Sequence, residues 1–380
     1  MKIGQVVTYI SPDGAFGGPT RVALEQAKAL GRRGHEVTVF AAAPVTSPQI
    51  ERLGNGVTLR KYPAKWVSKR LGFAGMHAPG LSRDLRASAT HFDVVHLHLA
   101  RDLVTLPAAH AVQRGGVPYV AQTHGMIDAS THPLAGPIDL VSTRRAIRQA
   151  HRVLVLTDQE EQDITSLVPR AAIARIGNGV EVRQPRAYEP RPPRVLFLAR
   201  LHERKRPLAF IEMAELVGAV HAEAEFVVAG PDEGEGQRVV EAIASSSLRN
   251  RLQWIGPVDP ERTSSLLADA RVFVLPSVGE VFPMTVLEAF QEGTPVVTTD
   301  SLGIADMCRT HQAAEVTDGT PSGLATAVSR VLSSTARAHE LRAGASSLLR
   351  QELNIDDVAA TLEEHYGSAR QTVRRNKGGN

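Results

Sequence analysis

Cysteine is almost missing from this chain. The one present, Cys308, excludes an internal disulfide and fits a reducing compartment. Aromatic residues make up 4% and the formal net charge is +3. That is too few rings for base stacking and too little charge for a phosphate backbone, so nucleic-acid binding is not expected. No apolar run reaches the length of a membrane span. Residues 1–7 read as a first strand without a long apolar region or a cleavage site, so no signal peptide is expected. No repeat of fixed short period occurs, and the full G-x-G-x-x-G fingerprint is absent. His96 and His98 alternate with apolar residues, but no third ligand matches their spacing, so they read as structural and no metal site is expected.

What remains is a chain of 380 residues, 43% hydrophobic, a length that favours two domains. Both halves carry a strand–helix rhythm. Residues 6–10 form a strand that ends in a polar, glycine-rich loop at 11–19. A helix follows with Val22, Ala23, Ala27 and Leu30 on one face and Gly34 at its end. With a second strand at 36–42, this is the opening of a Rossmann-like domain. Gly17 and Gly18 permit close backbone approach to a phosphate, and a tight turn explains them as well. Residues 57–62 form a strand. In the basic segment 61–73, Tyr62, Lys65, Trp66, Lys69, Arg70 and Phe73 offer a shallow membrane-facing surface, with a solvated loop and helix as the favoured alternative. Strands at 93–98 and 118–123 flank a helix at 103–112. The second strand runs into His124-Gly125-Met126, at the strand end where open α/β sheets bind ligands. A capping turn is the alternative for His124. A basic helix at 137–152 reads as a solvated face, followed by a strand at 153–156 and a helix at 158–167.

Residues 176–180, I-G-N-G-V, precede a proline- and charge-rich segment at 184–193, the clearest domain boundary in the chain. A second α/β unit opens with a strand at 194–199. Arg200 and Lys205 lie five residues apart across its strand-to-helix loop, in reach of one diphosphate. Strands follow at 226–230 and 252–256, then a helix at 259–268 and a buried strand at 272–275. The stretch 276–297, P-S-V-G-E-V-F-P-M-T-V-L-E-A-F-Q-E-G-T-P-V-V, organises this half. Gly279 and Pro283 break a loop, a short helix spans 285–290, and Gly293 stops it. Glu280 in the loop and Glu288 in the helix bracket free amides near 284–286, a ready anion site. A nucleotide-sugar has that layout: ribose diol, diphosphate, sugar ring. The alternative is a plain helix start with Glu288 solvated. Helices at 321–332, 336–349 and 356–365 follow, and the basic tail after Arg374 is expected to be disordered.

The spacing Glu280-x7-Glu288 resembles the paired-glutamate signature of the retaining glycosyltransferases of family 4. The fold this implies is GT-B: α/β, two Rossmann-like domains facing across a cleft. Val281 stands where the family loop has glycine, and Ala199 replaces the glycine of the family's G-R-L-x-x-x-K grip, which Arg200 and Lys205 match. The His124-Gly125 turn is similar to the family turn whose histidine contacts the sugar. Gly17 and Gly18 match the first loop, which meets the donor diphosphate. Gly256 and Pro257 match the loop that reads the nucleobase through its backbone. The resemblance implies a catalytic set of Glu280, Arg200, Lys205 and His124. It also implies donor contacts from Gly17, Gly18, Gly256, Pro257, Phe282, Met284, Thr285 and Glu288. Residues 1–182 would bind acceptor, 190–353 the nucleotide-sugar, and 354–370 would form a helix returning to the first domain.

On this reading the enzyme moves a sugar from a nucleotide-sugar to an acceptor hydroxyl with retention, in polysaccharide or lipid-linked glycan assembly. The alternatives are glycosylation of a small metabolite, an inverting transferase with His124 as base or an epimerase, and a non-catalytic nucleotide-sugar-binding protein. No cofactor and no metal are required: D-x-D, the usual metal–diphosphate anchor of the other large glycosyltransferase fold, is absent, and Arg200, Lys205 and the helix amides supply positive charge. The expected partners are the donor and a glycan, lipid-linked or small-molecule acceptor, with peripheral membrane contact through 61–73 as an option. The expected location is the cytoplasm or the inner face of the membrane.

Overall fold

Short apolar strands alternating with helices of one buried face dictate parallel sheets covered on both sides. A computed structural model describes residues 1–11, 17–67, 75–128, 135–183, 192–248 and 250–378. The chain begins with β1 (Lys2–Tyr9), α1 (Gly17–Arg32), β2 (Glu36–Ala43), β3 (Gln49–Gly54) and β4 (Val57–Pro63). The small pair β5 (Lys65–Trp66) and β6 (Met76–His77) leads to α2 (Pro79–Ser88), β7 (Val94–His98), α3 (Thr105–Gly115) and β8 (Tyr119–Gln122). Then come α4 (Ala135–Ile138), α5 (Arg144–Gln149), β9 (Arg152–Val155), α6 (Asp158–Leu167) and β10 (Ile173–Arg175). The first sheet runs β10-β9-β8-β7-β1-β2-β4-β3. Its pairings are parallel except β3 with β4. The topological switch lies between β1 and β7, where Val6 stands beside Leu97.

The second unit holds β11 (Arg194–Leu198), α7 (Pro207–Val220), β12 (Glu225–Ala229), α8 (Gly236–Ser245), β13 (Leu252–Trp254) and α9 (Pro260–Asp269). It continues with β14 (Val272–Leu275), α10 (Met284–Gln291), β15 (Val296–Thr299), α11 (Ala305–Thr310), β16 (Glu315–Thr317), α12 (Pro321–Ser333) and α13 (Thr335–Gln351). Its sheet is parallel throughout, in the order β13-β12-β11-β14-β15-β16. That is the doubly wound order, with its switch between β11 and β14. Core strands such as β14, VFVL, are buried at every position. The last helix, α14 (Ile355–Gly378), belongs to the first unit, so Val180–Asn354 is inserted into a unit made of Phe16–Gly179, Ile355–Asn380 and the chain's start. It packs on α1, where Arg33 donates to both oxygens of Glu363 at 2.7 and 2.8 Å.

Several expectations are corrected. The basic helix at 137–152 is broken by a wide π turn at Asp139–Thr143 and ends at Gln149. Asp139 in that turn is nearly buried and accepts from Arg101 Nε at 2.8 Å. The tail after Arg374 continues α14 to Gly378. In the segment 61–73, Tyr62 is a core residue, 2% exposed, donating to Asp84 at 2.8 Å. Trp66 is exposed, while Lys69, Arg70 and Phe73 lie outside the described residues.

Candidate active site

The residues singled out in the second unit gather at the carboxyl ends of its strands. After β11 the chain turns through Ala199, Arg200 and Leu201, stitched to the loop after β12 by Leu201 N donating to Pro231 O at 2.8 Å. Gly230 allows this approach: its φ is 137°, and a Cβ there would collide with the Ala199 carbonyl. Arg200 Nη1 reaches both oxygens of Glu233 at 2.7 Å. A short 3₁₀ turn, Glu203–Lys205, follows.

Lys205 Nζ donates to Glu280 Oε1 at 2.5 Å, an ion pair that bridges the loops after β11 and β14 over the switch point. Both side chains are about a fifth exposed, at 18% and 21%. Three backbone-directed contacts fix this geometry. Val278 N donates to Arg204 O at 2.9 Å, the Arg204 guanidinium donates to Gly279 O, and Gly303 N donates to Glu280 O at 2.9 Å. Glu280 Oε2 is buried and has no hydrogen-bond partner. A buried carboxylate oxygen without a donor costs free energy, and such an atom points to a missing ligand.

Helix α10 starts after Pro283, with no side chain capping its first turn. Val286 N donates to Pro283 O at 3.0 Å, so of the amides expected to be free near 284–286 only those of Met284 and Thr285 lack an intrahelical acceptor. Phe282 and Thr285 are partly exposed, and Met284 is buried. Glu288 is 6% exposed, which overturns its reading as a solvated surface residue. Gly256, at φ 76°, lends its carbonyl to Gly230 N at 2.8 Å, and Pro257 beside it is exposed.

In the first unit, His124 follows β8 in the left-handed region, φ 51°, with Gly125 at 70°. A histidine there is uncommon and must be held by its surroundings. Glu160 of α6 supplies the hold. Its carboxylate accepts from Thr123 Oγ1, from Gly125 N at 2.7 Å and from Leu156 N at 2.7 Å. His98 Nδ1 and His124 Nε2 share a hydrogen bond of 2.8 Å, and their rings stack with centroids 5.0 Å apart. His96 stacks on His98 at 4.4 Å and its Nδ1 meets Tyr366 Oη at 2.7 Å. Desolvation pushes His124 and His96 down to about 3 and His98 well below its ordinary value, so the stack is neutral at physiological pH. Gly17 and Gly18 open α1. A Cβ added at Gly18 meets nothing within 4 Å, so packing does not demand glycine there.

Glu233, Arg204, Glu160 and His98 escaped the sequence reading as site residues. Glu233 sits in an acidic loop that reads as solvated, and Glu160 in an ordinary amphipathic helix. Among the described residues no group of three His, Cys, Asp or Glu side chains is arranged to hold a metal.

Two family models match end to end: "Glycosyl transferase 4-like domain" over residues 17–179 and "Glycosyl transferases group 1" over residues 181–347. The chain is similar to the D-inositol 3-phosphate glycosyltransferase of Mycolicibacterium paratuberculosis, 27% identical over 340 residues, covering 78% of this chain and 74% of the relative. The enzyme of that name from Nocardia farcinica is 26% identical over 332 residues, with 78% and 72% covered. Among solved structures, sucrose-phosphate synthase from Thermosynechococcus elongatus superposes with a TM-score of 0.76 at 17% identity, covering 97% of this chain and 98% of that one. Anabaena HepE, solved with UDP and glucose, gives 0.73 at 17% identity, covering 97% and 100%. With both halves matched in order and the whole fold shared, the chain belongs to glycosyltransferase family 4 and is a glycosyltransferase of GT-B fold.

Proposed function

We propose that this enzyme transfers a sugar from a nucleotide-sugar to an acceptor hydroxyl with retention of configuration, the second unit holding the donor and the first the acceptor. One observation carries the reading: Glu280 offers a buried, unpartnered Oε2 beside the cation Lys205, at the switch point of the second sheet. In this scheme Lys205 and Arg200 neutralise the leaving diphosphate, Arg200 exchanging Glu233 for a phosphate oxygen. The α10 amides take a further phosphate oxygen. Glu280 Oε2 accepts from sugar hydroxyls next to the anomeric carbon, and Glu288 holds the ribose diol. Gly256 and Pro257 meet the base, Phe282, Met284 and Thr285 line the donor, and Gly17 and Gly18 approach the diphosphate. As the glycosidic bond to phosphate breaks, the leaving phosphate oxygen accepts the acceptor proton on the same face. His124 contributes as a neutral hydrogen-bonding partner to the sugar. A group held near 3 is a poor general base at neutral pH, which weighs against the inverting alternative.

Two acceptor classes follow: polymeric or lipid-linked glycans, and small phosphorylated polyols, the latter supported by the name of the curated relatives. The test is a thermal-shift screen of nucleotide-sugars, then nucleotide release and anomeric assignment of the product by NMR. Inversion, or no release with any donor and acceptor pair, overturns the reading.

A further inference from the structure

The first unit carries an unbalanced cationic face. Helices α2, α3 and α5 bury their apolar sides in one core cluster, which contains Leu81, Leu85, Ala108, Val112, Ala146 and Ile147. Their outer sides carry Arg83, Arg86, Arg114, Arg144, Arg145 and Arg148, all exposed. Among the described residues none of these six has a carboxylate partner. Asp84, the one acid on these three helices, accepts from Tyr62, and Asp139 in the turn before α5 accepts from Arg101. Arg83, Arg86, His110 and Arg114 line one groove of about 430 Å³ between α2 and α3. Helix α5 packs on α3 beside this groove, and burial, with Arg145 and Arg114 adding to it, lowers the pKa of His110.

A protein of net charge +3 that leaves six arginines unpaired on one face presents a local field far stronger than its total charge suggests. The face is not only charged. Leu140 and Val141 are 70% and 73% exposed, among the most exposed large apolar side chains of the described residues. With Arg144, Arg145 and Arg148 they recur at positions 140, 141, 144, 145 and 148, the spacing of one helical face. An apolar turn leading into three arginines is the pattern of a segment lying in a lipid interface, with the side chains of the apolar turn among the acyl chains and guanidinium groups at the phosphates. No described helix is long and apolar enough to cross a membrane, so the contact it suits is peripheral.

We propose that the α2–α3–α5 face docks the first unit on a bilayer rich in anionic phospholipid, with lipid phosphates in the Arg83–Arg86–Arg114 groove and Leu140 and Val141 inserted beside them. This surface differs from the 61–73 segment that the sequence suggested. Docking brings the enzyme to lipid-linked acceptors, and it stands or falls apart from the transferase reading.

The experiment is co-sedimentation of the full chain with phosphatidylcholine vesicles, with and without phosphatidylglycerol, at low and high salt. Binding should need phosphatidylglycerol. Changing Arg144, Arg145 and Arg148 together to Gln should weaken it about a hundredfold. Leu140→Ser with Val141→Ser should remove the salt-resistant part of the binding. All five side chains are solvent-facing, so melting temperature and transfer to a soluble acceptor should stay unchanged, which separates lost docking from lost folding. No sedimentation of the wild type, or arginine variants that bind like it, overturns the proposal. So does binding that depends on Lys65 and Trp66 instead. If inorganic polyphosphate displaces the protein completely and the serine pair binds like wild type, the face is a polyanion site and the bilayer assignment is wrong.

Discussion

At the scale of single residues, the switch point of the second sheet separates two kinds of charge. Arg200 and Lys205 are held in the free protein by carboxylates, Glu233 and Glu280. Arg200→Ala and Lys205→Ala should each lower kcat by about 10²–10³-fold, the loss expected when stabilisation of developing charge is removed. Circular dichroism should be unchanged, and steady-state rates give the check. Either variant at wild-type turnover removes that residue from the site. The two glutamates should fail differently. A ribose contact changes little along the reaction, so Glu288→Gln should mainly raise donor KM. In the proposed scheme Glu280 meets the sugar hydroxyls where an oxocarbenium-like charge would develop, so Glu280→Gln should lower kcat more than it raises KM. Kinetics of both variants on one donor decide the matter, and equal falls in kcat with KM untouched would refute the assignment of the two ends.

At the scale of elements, α14 is tied to α1 by an acid with a displaced titration. The Arg33 hydrogen bonds, helped by His35 and opposed by desolvation, hold Glu363 down at about 2. Its folded value lies below the unfolded one of 4.5, so the unfolded chain binds more protons between those limits. The contact therefore stabilises fully above about pH 4.5 and is lost as pH falls toward about 2. Glu363→Gln should flatten the melting temperature over that window relative to wild type, as scanning calorimetry would show. The Arg33–Glu363 pairing was invisible in sequence, because its members stand 330 residues apart. The fold class was legible, since apolar runs such as 195–198 and 272–275 bury both faces and leave helix as the only long alternative between them. Strand β3, Q-I-E-R-L-G, was not, because an exposed antiparallel edge has no buried face to impose alternation. Strands β10 and β16 are only three residues long. In the site, residue types could be read from the loops. Their partners could not: Glu160, which clamps the His124 turn, carries no mark in sequence beyond helix propensity.

At the scale of the whole molecule, catalysis by fixed cations predicts that transfer survives excess EDTA and gains little from added magnesium or manganese. Strict recovery by metal would mean that Arg200, Lys205 and the α10 amides are insufficient. The insertion of one unit within the other has its own consequence for how the protein is made. A ribosome releases the N-terminal strands first, but α14, with buried Ala359, Leu362 and Tyr366, leaves only after the inserted residues 180–354. Until then the surfaces of α1, β7 and β8 under α14 lie bare, and His96 lacks Tyr366. Residues 180–354, in contrast, are complete before translation ends. A nascent chain cut short after residue 354 and arrested through an added linker that spans the exit tunnel should therefore carry a protease-resistant second unit behind a protease-sensitive first one. Limited proteolysis of arrested chains, with release as the control, would reveal the reversal: the half translated first is the half that matures last.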